Sequence, residues 1–205
     1  LLVRQLILAS GSPYRLQRLK EAGLDPLVHA ANIDESPQKH EDALTLSARL
    51  SKEKAYAVSA HYQNGFIIGS DQVAEVLLDS HSERLGKPGS KLKAQEQLAL
   101  CSGRTVKFHT SLTVVDAESK RDVTQTETVT VIFNTLTPSQ IATYINADNP
   151  IQCAGSFMME RAGIFLFKKI LSEDPNALIG IPMIALRECL TLLEVDIFDL
   201  LKRSK

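Results

Sequence analysis

The chain has 205 residues, 44% of them hydrophobic and 23% charged, with a formal net charge of −1, an ordinary globular composition long enough for one large domain or two small lobes. That balance excludes a global basic field for nucleic acid or for a membrane surface, so any anion site has to be local. Cys101, Cys153 and Cys189 are an odd number without CxxC spacing, which favours reduced thiols and a cytoplasmic protein over a disulfide framework. No apolar run approaches the ~20 residues of a membrane span, and residues 1–7 show no signal-peptide pattern.

Leu6–Ala9 is an unbroken apolar run, expected as a strand covered on both faces. Ser10-Gly11-Ser12 then turns the chain, and Pro13 suits the first position of a helix, with Ser12 as its N-cap. That helix is predicted over Pro13–Ala22, with Leu16 and Leu19 on one face and Gly23 as its stop. Leu27–Ala31 reads as a short strand. A polar turn through Asp34 and Glu35 follows, and Asp42 caps a long helix to about Tyr62, with Leu46, Leu50, Ala57 and Val58 at helical spacing. Lys52 and Lys54 lie about 200° apart round that helix and cannot face one ligand. Phe66–Gly69 is a second buried strand delivering Ser70, Asp71 and Gln72 at or near its end, and Val73–Leu78 continues extended.

Asp79–Leu85 reads as a polar loop leading to Gly86-Lys87-Pro88. A helix is predicted over Lys91–Leu100. Thr105–Val115 and Val123–Phe133 alternate as strands of a hairpin turning at Glu118–Arg121. Thr137-Pro138 opens a helix ended by Asp148-Asn149-Pro150. Cys153–Phe157 is a small-residue turn, Gly163–Phe167 a short apolar strand, Asp174–Asn176 a turn, Pro182–Leu193 an amphipathic helix and Ile197–Leu201 a short tail helix. The pattern is α/β, with a mixed, elongated central sheet flanked by helices and two lobes with a cleft between them.

Ser12 and Arg15 at a helix N-terminus suit an anion, phosphate above all, although serine-capped turns are common in their own right. Asp71, straight after an apolar strand, could bind a divalent metal, act as general base on water, or simply cap the next turn. Glu35 is a second carboxylate in a turn. Arg15, Lys54 and Lys87 could together neutralise a polyphosphate, Arg as a fork and Lys as point charges. None of the five histidines has metal spacing, and no nucleophile elbow is present. Metal-assisted attack of water on a phosphoanhydride fits the set.

LILASGSPYR, the Asp34-Glu35 turn, Lys54 in SKEKA, IIGSDQV, GKP and CAGSF follow in this order from Leu6 to Phe157. Together they resemble the Maf-type nucleotide pyrophosphatases over about three quarters of the chain. The resemblance implies an α/β fold similar to inosine triphosphate pyrophosphatases, a single domain over 1–205, and hydrolysis of nucleoside triphosphates to monophosphate and pyrophosphate. It also implies a divalent cation (Mg²⁺ or Mn²⁺), a cytoplasmic homodimer, a nucleotide substrate, and neither nucleic acid nor membrane as partner. Position by position it implies phosphate binding by Ser12, Arg15, Lys54 and Lys87, a cleft or metal carboxylate at Glu35, and Asp71 as proton acceptor.

Tyr14, Gln72 and Glu160 match the specificity positions of the members that hydrolyse 7-methyl-GTP. An aromatic ring at Tyr14 would stack on a base and gain ~1–2 kcal/mol from a cationic methylated guanine, and a carboxylate accepts two N–H bonds from a guanine edge. The other readings are a dTTP/UTP or other noncanonical nucleotide pyrophosphatase, and a nucleotide-binding regulator of cell division. The chain departs from the subgroup at Met158, Met159 and Arg161, where lysine, serine and glycine are expected. A glycine needed there for positive φ would give this chain a different loop path, with Arg161 partly replacing the lost lysine. The loop from Leu77 to Leu85 reads as a surface insertion.

Overall fold

A computed structural model of the chain describes residues 4–201. The parts of the 1–205 span and of the 1–7 reading that fall on residues 1–3 and 202–205 lie outside the described residues. Seven strands form one mixed sheet: β1 (Leu6–Leu8), β2 (Leu27–Val28), β3 (Phe66–Leu77), β4 (Ser82–Leu85), β5 (Thr105–Asp116), β6 (Asp122–Phe133) and β7 (Phe167–Leu171). Their order is β2-β1-β3-β5-β6-β7, with β4 also on β3. The pairs β1–β2 and β1–β3 are parallel and the rest antiparallel. Helices α1 (Pro13–Glu21), α2 (Ala43–Ser59), α3 (Lys91–Cys101), α4 (Pro138–Asp148) and α5 (Met183–Leu192) flank it. Among the described residues no helix is long and apolar enough to cross a membrane.

The helix starts follow local chemistry. Ser12, Asp42, Ser90 and Thr137 each accept a backbone N–H with the side chain, and Thr137 forms a full capping box with Gln140. Gly23, just after α1, takes a positive φ of 84°, as a stop residue should. On α2 the buried stripe runs through Leu46, Leu50, Ala55 and Val58, with Ala55 rather than Ala57 against the sheet.

Strands β3, β5 and β6 are twelve residues each and run through two cores. One gathers Val76, Phe108, Val131 and Phe133 with Leu98 and Ile145. The other gathers Leu8, Phe66, Ile68, Leu112 and Val114 with Leu186 and Leu190. A smaller cluster of Ile7, Ala55, Val58 and Ile67 lies under α2. The two lobes are therefore two packing centres along one sheet.

Three local expectations are corrected. The strand does not end near Ser70–Gln72: the extended stretch expected over Val73–Leu78 is the same strand, and β3 runs through Asp71 to Leu77, because β5 pairs with it without a break from Phe66 to Val76. The stretch read as a polar insertion is a hairpin: residues 78–81 turn the chain and β4 returns along Ala74–Leu77. Gly163–Phe167 is a 3₁₀ turn (Ala162–Leu166) followed by β7, not a strand. A Cβ on Gly163 would stand 2.4 Å from the Met158 carbonyl oxygen, so the chain is folded back on itself there.

Candidate active site

The cleft opens at a gap in the sheet edge. β5 covers one edge of β3 from Phe66 to Val76. On the other edge β1 pairs only with Phe66–Ile68 and β4 only with Ala74–Leu77. Residues 69–73 lie between. The turn after β1, carrying Ser10 to Arg15, and the turn after β4, carrying Gly86 and Lys87, flank this gap around a cavity of about 830 Å³. Asp71 is thus in mid-strand, yet three residues beyond the point where its parallel neighbour stops. The end of a parallel strand is where open α/β sheets take ligands.

Strand alternation decides what each side chain meets. Odd positions face α2. Gly69 lies so close to it that an added Cβ would be 2.1 Å from the Ser51 carbonyl oxygen. Two residues on, Asp71 receives a hydrogen bond from Lys54 Nζ at 2.6 Å. Lys54 is on the buried face of α2, 7% exposed, and also pairs with Glu35 at 2.8 Å. Lys52 pairs instead with Asp122 at 2.9 Å on the far side, as the helical angle requires. Even positions face the C-terminal segment. Ser70 Oγ donates to the Gly180 carbonyl, and Gln72 Nε2 donates to the Ala177 carbonyl at 2.8 Å and to Thr110 Oγ1. What Gln72 retains for a ligand is its carbonyl oxygen.

Ser12 caps α1 as expected, its Oγ accepting from the Arg15 N–H at 3.4 Å. The Arg15 side chain is anchored: Nε donates to the Gly180 carbonyl at 2.7 Å and Nη1 to Ser10 Oγ at 3.1 Å. Burial lowers its pKa, and Asp71 and Glu35 oppose that shift. Asp34 is an exposed Asx turn accepting from the Ser36 N–H.

The two cleft carboxyls are driven apart. Burial pushes Asp71 above the ordinary carboxylate range, against the pull of Lys54 and Arg15. Burial also opposes the charge of Glu35, but the bond and charge of Lys54, with Lys87 and Arg15, outweigh it and hold Glu35 below that range. Such divergence marks acid/base sites. Among the described residues no group of three or more His, Cys, Asp or Glu could hold a metal ion. His109 is buried, its ring nitrogens bonded to Glu75 and Thr128.

Tyr14, Cys153, Met158 and Glu160 also line the cavity. The Tyr14 hydroxyl is raised by burial and by nearby Cys153 and Glu160. The Met158–Arg161 departure is accommodated. Arg161 has φ −127°, so its position needs no glycine. Its guanidinium lies 3.5 Å from Asp148, off the cavity wall, yet its charge still acts on the Tyr14 hydroxyl. Met158 is buried, its N–H donating to the Tyr144 hydroxyl. Cleft residues outside the expected set include Arg84, Leu178 and Gly180. The register of β4 and the return of the C-terminal segment bring them in, and no local pattern announces either.

A family model described as Maf-like protein matches residues 5–193. The 7-methyl-GTP pyrophosphatase of Pseudoalteromonas atlantica is 46% identical over 195 residues, covering 95% of this chain and 98% of that one. A protein of the same name from Xanthomonas oryzae pv. oryzae is 43% identical, covering 91% and 95%. The one from Colwellia psychrerythraea is 44% identical, covering 90% of each. Among solved structures, the Staphylococcus aureus Ham1 protein aligns at TM-score 0.49 and 14% identity, covering 78% of this chain and 90% of that one.

Proposed function

The chain belongs to the Maf-like protein family, and from that premise we propose that it is a nucleotide pyrophosphatase, with 7-methyl-GTP as substrate and 7-methyl-GMP and pyrophosphate as products. The observation that carries the chemistry is Lys54 bridging Asp71 and Glu35 in a cleft that also holds Arg15 and Lys87. The base preference rests on the three relatives' shared name and on Tyr14 and Glu160 in the wall of that cleft.

In this reading Asp71 accepts a proton from a water as its oxygen attacks the α-phosphorus. The bond from that phosphorus to the oxygen bridging to the β-phosphate breaks, and pyrophosphate leaves. Lys54, Lys87 and the free end of the anchored Arg15 offset charge on the phosphates. The Ser12 hydroxyl and the start of α1 hold a phosphate oxygen. A Mg²⁺ or Mn²⁺ ion would be held by Glu35 together with substrate phosphates, and would supply further charge neutralisation. Tyr14 stacks on the base. Glu160 accepts from its edge, and Gln72 offers an acceptor oxygen or acts by holding the 177–180 segment. Cytoplasmic residence and a homodimer are proposed from the family resemblance alone.

The test is pyrophosphate release with Mg²⁺ or Mn²⁺ from 7-methyl-GTP, GTP, dTTP, UTP, CTP and ITP. The expected result is a preference for 7-methyl-GTP over GTP of about tenfold in kcat/KM. Faster turnover of dTTP or UTP would move the chain to the pyrimidine branch. Binding with no release from any of the six would favour the division regulator.

A further inference from the structure

Gln97 stands on α3, outside the cavity wall. Its helix is anchored in the first core by Ala94, Leu98 and Cys101. Its amide bridges two loops that do form that wall. The oxygen accepts from Ser156 Oγ, and Nε2 donates to the Gly86 carbonyl at 3.1 Å. A hydroxyl donor on one side and a carbonyl acceptor on the other require one side chain that both accepts and donates, which glutamate and methionine do not.

Gly86 precedes the exposed Lys87. Ser156 is fully buried at φ 62°, a conformation disfavoured for a residue with a Cβ. The two loops meet again where the Gly89 N–H donates to the Ile151 carbonyl at 2.9 Å. One loop carries Lys87, and the other carries Cys153 beside Tyr14.

We propose that Gln97 is a positioning residue that sets the separation of the Lys87 loop from the 153–157 turn, and so the place of Lys87 on the cleft wall. The role of Lys87 in this rests on the function proposed above. The link between the loops does not.

Two measurements on Gln97→Met test it. By hydrogen exchange, the Gly89 amide should exchange about tenfold faster than in wild type while amides inside α3 are unchanged. This readout needs no activity, so it stands even if wild type hydrolyses none of the six nucleotides, a result that would sink the functional reading alone. In turnover of the preferred nucleotide, kcat/KM should fall about tenfold in the wild-type background, and less than about twofold where Lys87 is already alanine. Gln97→Glu keeps the acceptor but loses the donor, and should stay impaired. Unchanged exchange at Gly89, equal losses in both Lys87 backgrounds, or a fully active Gln97→Glu would each overturn the proposal.

Discussion

Asp71 carries two opposing influences, and their signs can be read in a pH profile. Burial favours its neutral form, whereas the Lys54 ammonium at 2.6 Å favours its charge. Burial wins, so the carboxylate is a stronger base than an exposed aspartate. The acid limb of kcat/KM should therefore fall at an apparent pKa above the ordinary value of about 4. Because Lys54 lowers the pKa, Lys54→Met should move that limb further up, and carboxyl carbon NMR of Asp71 should titrate in step. A limb below about 4, or a downward shift when Lys54 is removed, would contradict the assignment. Asp71→Asn removes the base without changing shape. Turnover should drop by about 10² to 10⁴, with the far-ultraviolet circular dichroism unchanged. Near-wild-type turnover would take the proton acceptor elsewhere. Glu35, held ionised by the same lysine, suits the permanently charged role.

At the scale of elements, the site depends on how closely α2 lies on β3. Gly69 permits that approach: a Cβ there would meet the Ser51 carbonyl oxygen at 2.1 Å and the Ala55 nitrogen at 2.7 Å, both backbone. Gly69→Ala must push the helix away, carrying Lys54 from Asp71. A loss of about 3 kcal/mol or more in urea unfolding is expected, with a larger loss of turnover than the remaining folded fraction explains. A variant within about 1 kcal/mol of wild type would show that the contact is soft. Such approaches are tertiary and invisible to local pattern, whereas caps are not: Ser12, Asp42 and Thr137 each announce a helix because the capping hydrogen bonds span only a few residues. β4 was illegible for the opposite reason. Ser82, Glu83 and Arg84 are exposed and polar, and only register with β3 makes them a strand. The Gly163–Phe167 run misled because a short apolar run has no period of its own. Its backbone instead packs on Met158.

For the whole molecule, the legible part of the site is the part built from contiguous stretches. Ser12 with Arg15, Asp71 with Gln72, and Lys87 each stand in short segments whose residue types suggest chemistry. The Leu178–Gly180 contribution depends on the C-terminal return, so only the folded chain reveals it. The same shared sheet bears on how the chain unfolds. Phe108 belongs to one core and Leu112, four residues along the same strand, to the other. A core that melted alone would have to break β3, β5 and β6 in mid-strand, at the register that also holds Asp71 opposite Ser111. We therefore propose that the chain unfolds as one cooperative unit. Leu98→Ala in the first core and Leu190→Ala in the second should each cost about 2–5 kcal/mol. Each should shift a single urea transition without changing its slope, by fluorescence and circular dichroism alike. A mutation in one core that splits the transition, leaving the other core's melting in place, would show two lobes that fold separately and a cleft whose two walls are only loosely coupled.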